Sequence, residues 1–150
     1  MKKFENILII IALFSLVLKL LSIPGMNLFL VISILILATL YFYLGFALFN
    51  DVKFSRILKK NSYSGISGLR VLGAIGVGIA LSIICIGILF KIQHWNGANL
   101  YLYVGLAMAC FSLIIALVKY IISKVDFYKK ISIKLTVYIL VSIISLIIKI

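Results

Sequence analysis

The sequence predicts an all-α membrane protein of four to five transmembrane helices, built from tandem repeated helical hairpins. Three observations lead there. Of 150 residues, 65% are hydrophobic and 12% charged, with a mean hydropathy of +1.33. A soluble domain carries nearer ~45–50% apolar residues with about a quarter charged, and a disordered chain cannot be this hydrophobic. Five apolar runs have or approach the ~20 residues that cross a ~30 Å hydrocarbon core. The turn between the first two runs reappears 72 residues later, between the third and fourth.

The runs are Ile7 to Leu21, Leu28 to Phe49, Val71 to Phe90, Leu100 to Val118 and about Leu135 to Ile148. All read as helices, because a backbone out of reach of water must satisfy its own hydrogen bonds and the runs lack the alternation of a barrel strand. The first and fifth are short, so flanks such as Phe4 to Asn6 and Ile131 to Ile133 are expected to complete them. Lys2 and Lys3 before an apolar run resemble a secretory signal, but the run ends at Ser22-Ile23-Pro24-Gly25 without a small-x-small cleavage site, so an uncleaved helix is expected. The chain thus divides into a first hairpin (1–50), a basic connector (51–69), a second hairpin (70–122), a second basic connector (123–134) and a fifth helix or incomplete third repeat (135–150).

The net charge of +12 would suggest nucleic acid in a soluble protein, but its placement reports topology. Twelve of the fifteen basic residues precede the first apolar run or lie between the second and third runs or the fourth and fifth, Lys134 among them. The positive-inside pattern places these segments and the N-terminus in the cytoplasm, against anionic headgroups, and no nucleic-acid partner is expected. Around Phe54, Ile57 and Leu58 the first connector reads equally as a short interfacial helix or a solvated linker. Val52-Lys53-Phe54-Ser55-Arg56 also resembles Val125-Asp126-Phe127-Tyr128-Lys129.

In the repeat, Lys19 to Leu30 lies over Lys91 to Leu102 with five of twelve positions identical. Each copy reads as an apolar helix with Lys near its outer end, a tight turn at Pro24-Gly25 or Asn96-Gly97, and an Asn, Asn27 or Asn99, placed to cap the next helix. Ile144 to Ile150 echoes Ile86 to Ile92 and stops where a third turn would begin.

Lys19, Lys91 and Lys149 share one repeat position and are the basic residues outside the cytoplasmic segments. They read either as snorkelling interfacial lysines or as cations of a polar path. The acids Glu5, Asp51 and Asp126 are all expected at the cytoplasmic side, leaving these lysines no carboxylate partner. His94 reads as an interfacial hydrogen-bonding group or an external pH sensor, Trp95 as part of an aromatic belt, and Gly97 as the turn residue. Ala74, Gly78 and Ser82 recur every four residues on the third helix and Gly105 and Ala109 on the fourth, the small faces that let membrane helices approach. Cys85 and Cys110, both inside apolar runs, read as small buried hydrophobes. No nucleophile–base pair, phosphate loop or metal-ligand cluster is visible, so neither an enzyme nor a cofactor is expected.

At Gly87 to Ala98 the second hairpin resembles the N-terminal transmembrane region of the gliding-motility and type IX secretion motor protein L (GldL-like) family, through Phe90, Lys91 and His94, over roughly residues 78 to 118. The resemblance implies an inner-membrane, proton-driven stator ringed around a partner's transmembrane helix in Bacteroidota-type bacteria. The family's returning helix carries Gly-Leu-x-x-Glu; here Gly105-Leu106-Ala107-Met108 is followed by Ala109. The expectation is a non-enzymatic structural or interaction subunit, with membrane lipids and a homo-oligomer or single-pass membrane protein as partners. An ion-conducting or motor-associated subunit is the alternative, and a small-solute transporter a more distant one.

Overall fold

The computed structural model describes residues 1–148. It is all-helical: α1 (Lys2–Leu20), α2 (Met26–Phe49), α3 (Gly68–Ile92), α4 (Ala98–Ser123) and α5 (Asp126–Ile147). α2 to α5 are long and apolar enough to cross a membrane; α3, at 25 residues, reaches about 37 Å at ~1.5 Å per residue. α1 carries Lys2, Lys3, Glu5 and Lys19 and is not among those four. Large apolar side chains such as Leu20, Leu100, Phe111 and Ile121 face outward, the surface expected against lipid.

Consecutive helices pack antiparallel, and α3 is central, touching α2, α4 and α5. The α1–α2 and α3–α4 turns lie at one end of the bundle. The N-terminus, the α2–α3 connector and the α4–α5 link lie at the other, the connector end.

Several helix starts differ from the sequence reading. α5 begins at Asp126, ahead of both the run near Leu135 and its expected flank from Ile131, because Phe127, Ile131 and Leu135, spaced by four, form one buried stripe while Lys129 and Lys130 stay on the flank. The resemblance between residues 52–56 and 125–129 therefore does not carry into structure. The first stretch forms a short 3-10 turn at Phe54–Arg56 in the connector, whereas the second starts α5. A second 3-10 turn follows at Lys60–Tyr63, and the connector holds no α-helix.

In lipid, helices gain little from hydrophobic burial against one another, so close backbone approach matters more. Gly78 of α3 meets α2 at Gly45: a β-carbon on Gly45 would lie 2.9 Å from the Gly78 Cα, and one on Gly78 would overlap the Tyr41 carbonyl oxygen. Ala74 and Ser82, one turn away on either side, are buried. On the other side of α3, a β-carbon on Gly105 would lie 2.7 Å from Ile84 Cγ1, and one on Gly87 would lie 3.0 Å from the Leu102 side chain. Ala109, next on the α4 stripe, is fully buried. By contrast, a β-carbon on Gly76 would meet nothing within 4 Å.

Gly78→Ala should therefore lower stability in detergent by about 1–3 kcal/mol through overpacking. Gly76→Ala should be neutral or stabilising, since Ala is the better helix former. Thermal unfolding followed by circular dichroism distinguishes them, and equal melting temperatures would contradict the α2–α3 contact.

Candidate functional site

The residues singled out at the turn end build two helix stops of the same design. In the first, Ile23 N–H donates to Leu18 O at 3.1 Å and Ser22 N–H to Lys19 O at 2.9 Å. In the second, Trp95 N–H donates to Phe90 O at 2.9 Å and His94 N–H to Lys91 O at 3.2 Å. These paired bonds are those of a Schellman stop, which needs one residue in the left-handed region just beyond the helix. Ser22 (φ 60°) and His94 (φ 55°) take that place. The apolar contact that accompanies such a stop is present as well: Trp95 packs edge-on against Phe90, ring centroids 5.1 Å apart. His94 is exposed, and its structural part is played by its backbone.

Each turn then reverses at a left-handed glycine, Gly25 (φ 82°) or Gly97 (φ 88°), which also serves as N-cap of the next helix. Asn27 and Asn99 are consequently not caps, contrary to expectation. They sit in the first helical turn, where their side-chain oxygens accept from Gln93 Nε2 at 2.7 Å and from Lys91 Nζ at 3.1 Å. Lys19 Nζ donates to the Ile92 carbonyl at 2.9 Å and to Gln93 Oε1 at 3.4 Å. A cation on a helix C-terminal carbonyl is favourable in both charge and hydrogen bonding. Lys19 and Lys91 are thus brought to the same end of the bundle, and Lys19, Asn27 and Gln93 tie the first hairpin to the second. Lys149 lies outside the described residues.

A second polar cluster, nearer the connector end, was not visible in the sequence. Glu5 is 2% exposed, and its carboxylate accepts a hydrogen bond from Tyr41 OH at 2.5 Å and one from Lys134 Nζ, with which it forms an ion pair. The Tyr41 and Tyr138 hydroxyls are 2.8 Å apart, and the two rings meet edge to face. The Lys134 ammonium also sits 5.5 Å from the Tyr41 ring centroid and 5.3 Å from that of Phe49, within cation–π range. Lys134, read from the sequence as a cytoplasmic connector residue, is therefore drawn into the bundle, because α5 starts early and carries it there. A cavity of about 230 Å³, lined by Lys2, Glu5, Asn6, Lys130 and Lys134 among others, lies over the cluster.

Outside the helices, Asp51 receives Lys2 and, at 3.6 Å, Lys130. Partial burial pushes its carboxyl up, but the hydrogen bond and charge of Lys2, helped by Lys130, outweigh that and hold it below the usual carboxylate range. Cys85 and Cys110 are free thiols. Among the described residues no group of three or more His, Cys, Asp or Glu gathers as a metal site.

Two outcomes follow from this geometry. Left-handed backbone costs a non-glycine residue about 1–2 kcal/mol. His94→Gly should thus hold or raise the melting temperature in detergent, whereas the β-branched His94→Val should lower it. If both variants melt alike, the backbone role of His94 is wrong. Breaking a buried ion pair by removing one partner costs about 3–5 kcal/mol, an upper range here because Lys134 is partly exposed. Glu5→Leu or Lys134→Leu alone should therefore destabilise more than the double variant per site removed. Additive losses in a double-mutant cycle would show that the two groups are not coupled.

Residues 75–127, about a third of the chain, match the GldL N-terminal domain family. No curated protein and no solved structure matches the chain. The matched stretch runs from the first third of α3 through the second helix stop and all of α4 to the start of α5. With four helices apolar enough to span a bilayer, the protein is a helical membrane protein whose central hairpin is similar to the GldL N-terminal domain.

Proposed function

We propose that this chain is a non-enzymatic structural or interaction subunit of a bacterial inner-membrane complex, related in design to the GldL membrane hairpin. The observation that carries the reading is how the charged groups inside the bundle are employed. Lys134 neutralises Glu5 and bridges α5 to α1, and Lys19 holds the end of α3. Both cations are used in joining helices. The basic connector end, with twelve of the fifteen Lys and Arg residues assigned to that side, supports a cytoplasmic N-terminus. Little of α4 and α5 is buried within the chain, which supports lipid or partner contacts along their outer faces. The GldL resemblance favours a homo-oligomer or a single-pass partner helix, and with it a place in gliding or type IX secretion machinery.

One observation favours a second reading, an ion-conducting subunit. Glu5, Tyr41 and Tyr138 form a continuous chain of proton-bearing groups leading inward from the connector-end cavity, and intramembrane carboxylates often serve proton relays.

Native mass spectrometry of the protein gently extracted from its own membrane tests the first reading. A stoichiometric membrane partner or ring is expected. A partner-free monomer or bare dimer, under conditions that preserve control complexes, would overturn it. Proton flux into proteoliposomes above that of empty vesicles, abolished by Glu5→Gln in protein that stays folded, would put the second reading in its place.

A further inference from the structure

A groove of about 340 Å³ runs along the outside of the bundle where α3, α4 and α5 meet. Its walls are almost wholly apolar, among them Gly73, Gly76, Phe111, Ile115, Phe127 and Ile131. It stays open because two glycines line it: a β-carbon on Gly73 or Gly76 would meet nothing within 4 Å. Phe127 also lies beneath Arg70, whose guanidinium carbon is 4.1 Å from the ring centroid. Arg70 is the third residue of α3, at the connector end, and its buried Nε has no hydrogen-bond partner. Among the described residues no carboxylate pairs with it; Glu5 is taken by Lys134, and Asp51 by Lys2 and Lys130. Buried N–H donors are normally satisfied and buried charge is normally paired, so Arg70 stands with an unbalanced charge and hydrogen-bonding capacity that nothing among the described residues uses.

We propose that this groove is a binding site for an anionic phospholipid, with the phosphate on Arg70 and one acyl chain lying along Gly73 and Gly76. A planar guanidinium presents two parallel donors that match phosphate oxygens. The cation stands at the end of the bundle where headgroups would lie, and the groove continues from it into the hydrocarbon layer. Its length favours an acyl chain over a partner helix. Along α4 it extends from Met108 to Ala116, about 12 Å at ~1.5 Å per residue, less than half the ~30 Å that a spanning helix would need to cover. This site is independent of the complex-forming role proposed above.

The test uses the full chain in nanodiscs and native mass spectrometry, comparing phosphatidylglycerol with phosphatidylcholine of identical acyl chains. The wild type is expected to retain one phosphatidylglycerol in preference to phosphatidylcholine. Arg70→Gln should reduce that preference about tenfold, as loss of a charge-assisted hydrogen bond implies, and Arg70→Lys should fall between. Gly76→Leu, whose β-carbon would meet nothing within 4 Å and whose side chain would extend into the groove that Gly76 lines, should expel the lipid while leaving the melting temperature near that of the wild type. Equal retention of the two lipids by the wild type, or an unchanged preference in Arg70→Gln, would overturn the proposal. Displacement of the lipid by inorganic phosphate, with no effect of Gly76→Leu, would reduce the site to an anion contact and overturn it too. A stoichiometric protein lost on Gly76→Leu, with no lipid retained, would assign the groove to a partner helix instead.

Discussion

The close approach of α2 and α3 at Gly45 and Gly78 is the constraint from which the arrangement follows. Tyr41 lies at the centre of it. Its carbonyl oxygen abuts Gly78, and its fully buried side chain carries the hydroxyl that meets Glu5 and Tyr138. A larger residue at Gly78 would push α3 away from that backbone and disturb the helix whose tyrosine joins α1 to α5. In a bilayer this matters more than in water, because lipid tails are as apolar as leucine side chains and do not drive helices together. Small residues and polar contacts take over that work.

The polar contacts sit at two levels. At the turn end, Lys19, Asn27 and Gln93 join the two hairpins through one side chain–carbonyl and two side chain–side chain hydrogen bonds. Nearer the connector end, Glu5 and Lys134 join α1 to α5, with Tyr41 and Tyr138 completing the contact. A carboxylate left alone at that depth would be costly, and so would an ammonium; paired, each satisfies the other. The bundle is thereby fastened at both levels by groups that would otherwise oppose insertion.

The Phe90-Lys91 and His94-Trp95 pattern acquires a physical meaning from the second turn. Phe90, Lys91, His94 and Trp95 are four positions of one helix stop: two carbonyl acceptors, the left-handed residue, and the residue that packs back on the helix. Ser22 takes the same backbone conformation as His94 in the first turn, so the stop does not depend on an imidazole. The stretch that matches the GldL N-terminal domain family, residues 75–127, thus contains the whole of this helix stop.

Read alone, the residues mark the chain as a helical membrane protein and locate α2, α3, α4 and the two tight turns to within a few residues. Those properties depend on local composition: runs of apolar residues exclude water over a bilayer's thickness, and Gly25 and Gly97 permit the reversal. Lys19 and Lys91 were visible as a recurring pair, yet their partners, a carbonyl at Ile92 and the Asn99 side chain, were not. The early start of α5 was hidden because lysines dilute the apolar stripe of Phe127, Ile131 and Leu135 in any local average. That Glu5 meets Lys134, 129 residues away, and that Gly45 is the counterpart of Gly78 emerges from the packed bundle alone. Such pairings depend on how each helix is rotated about its axis, which is settled by contacts between helices and leaves no trace in the spacing along any one of them.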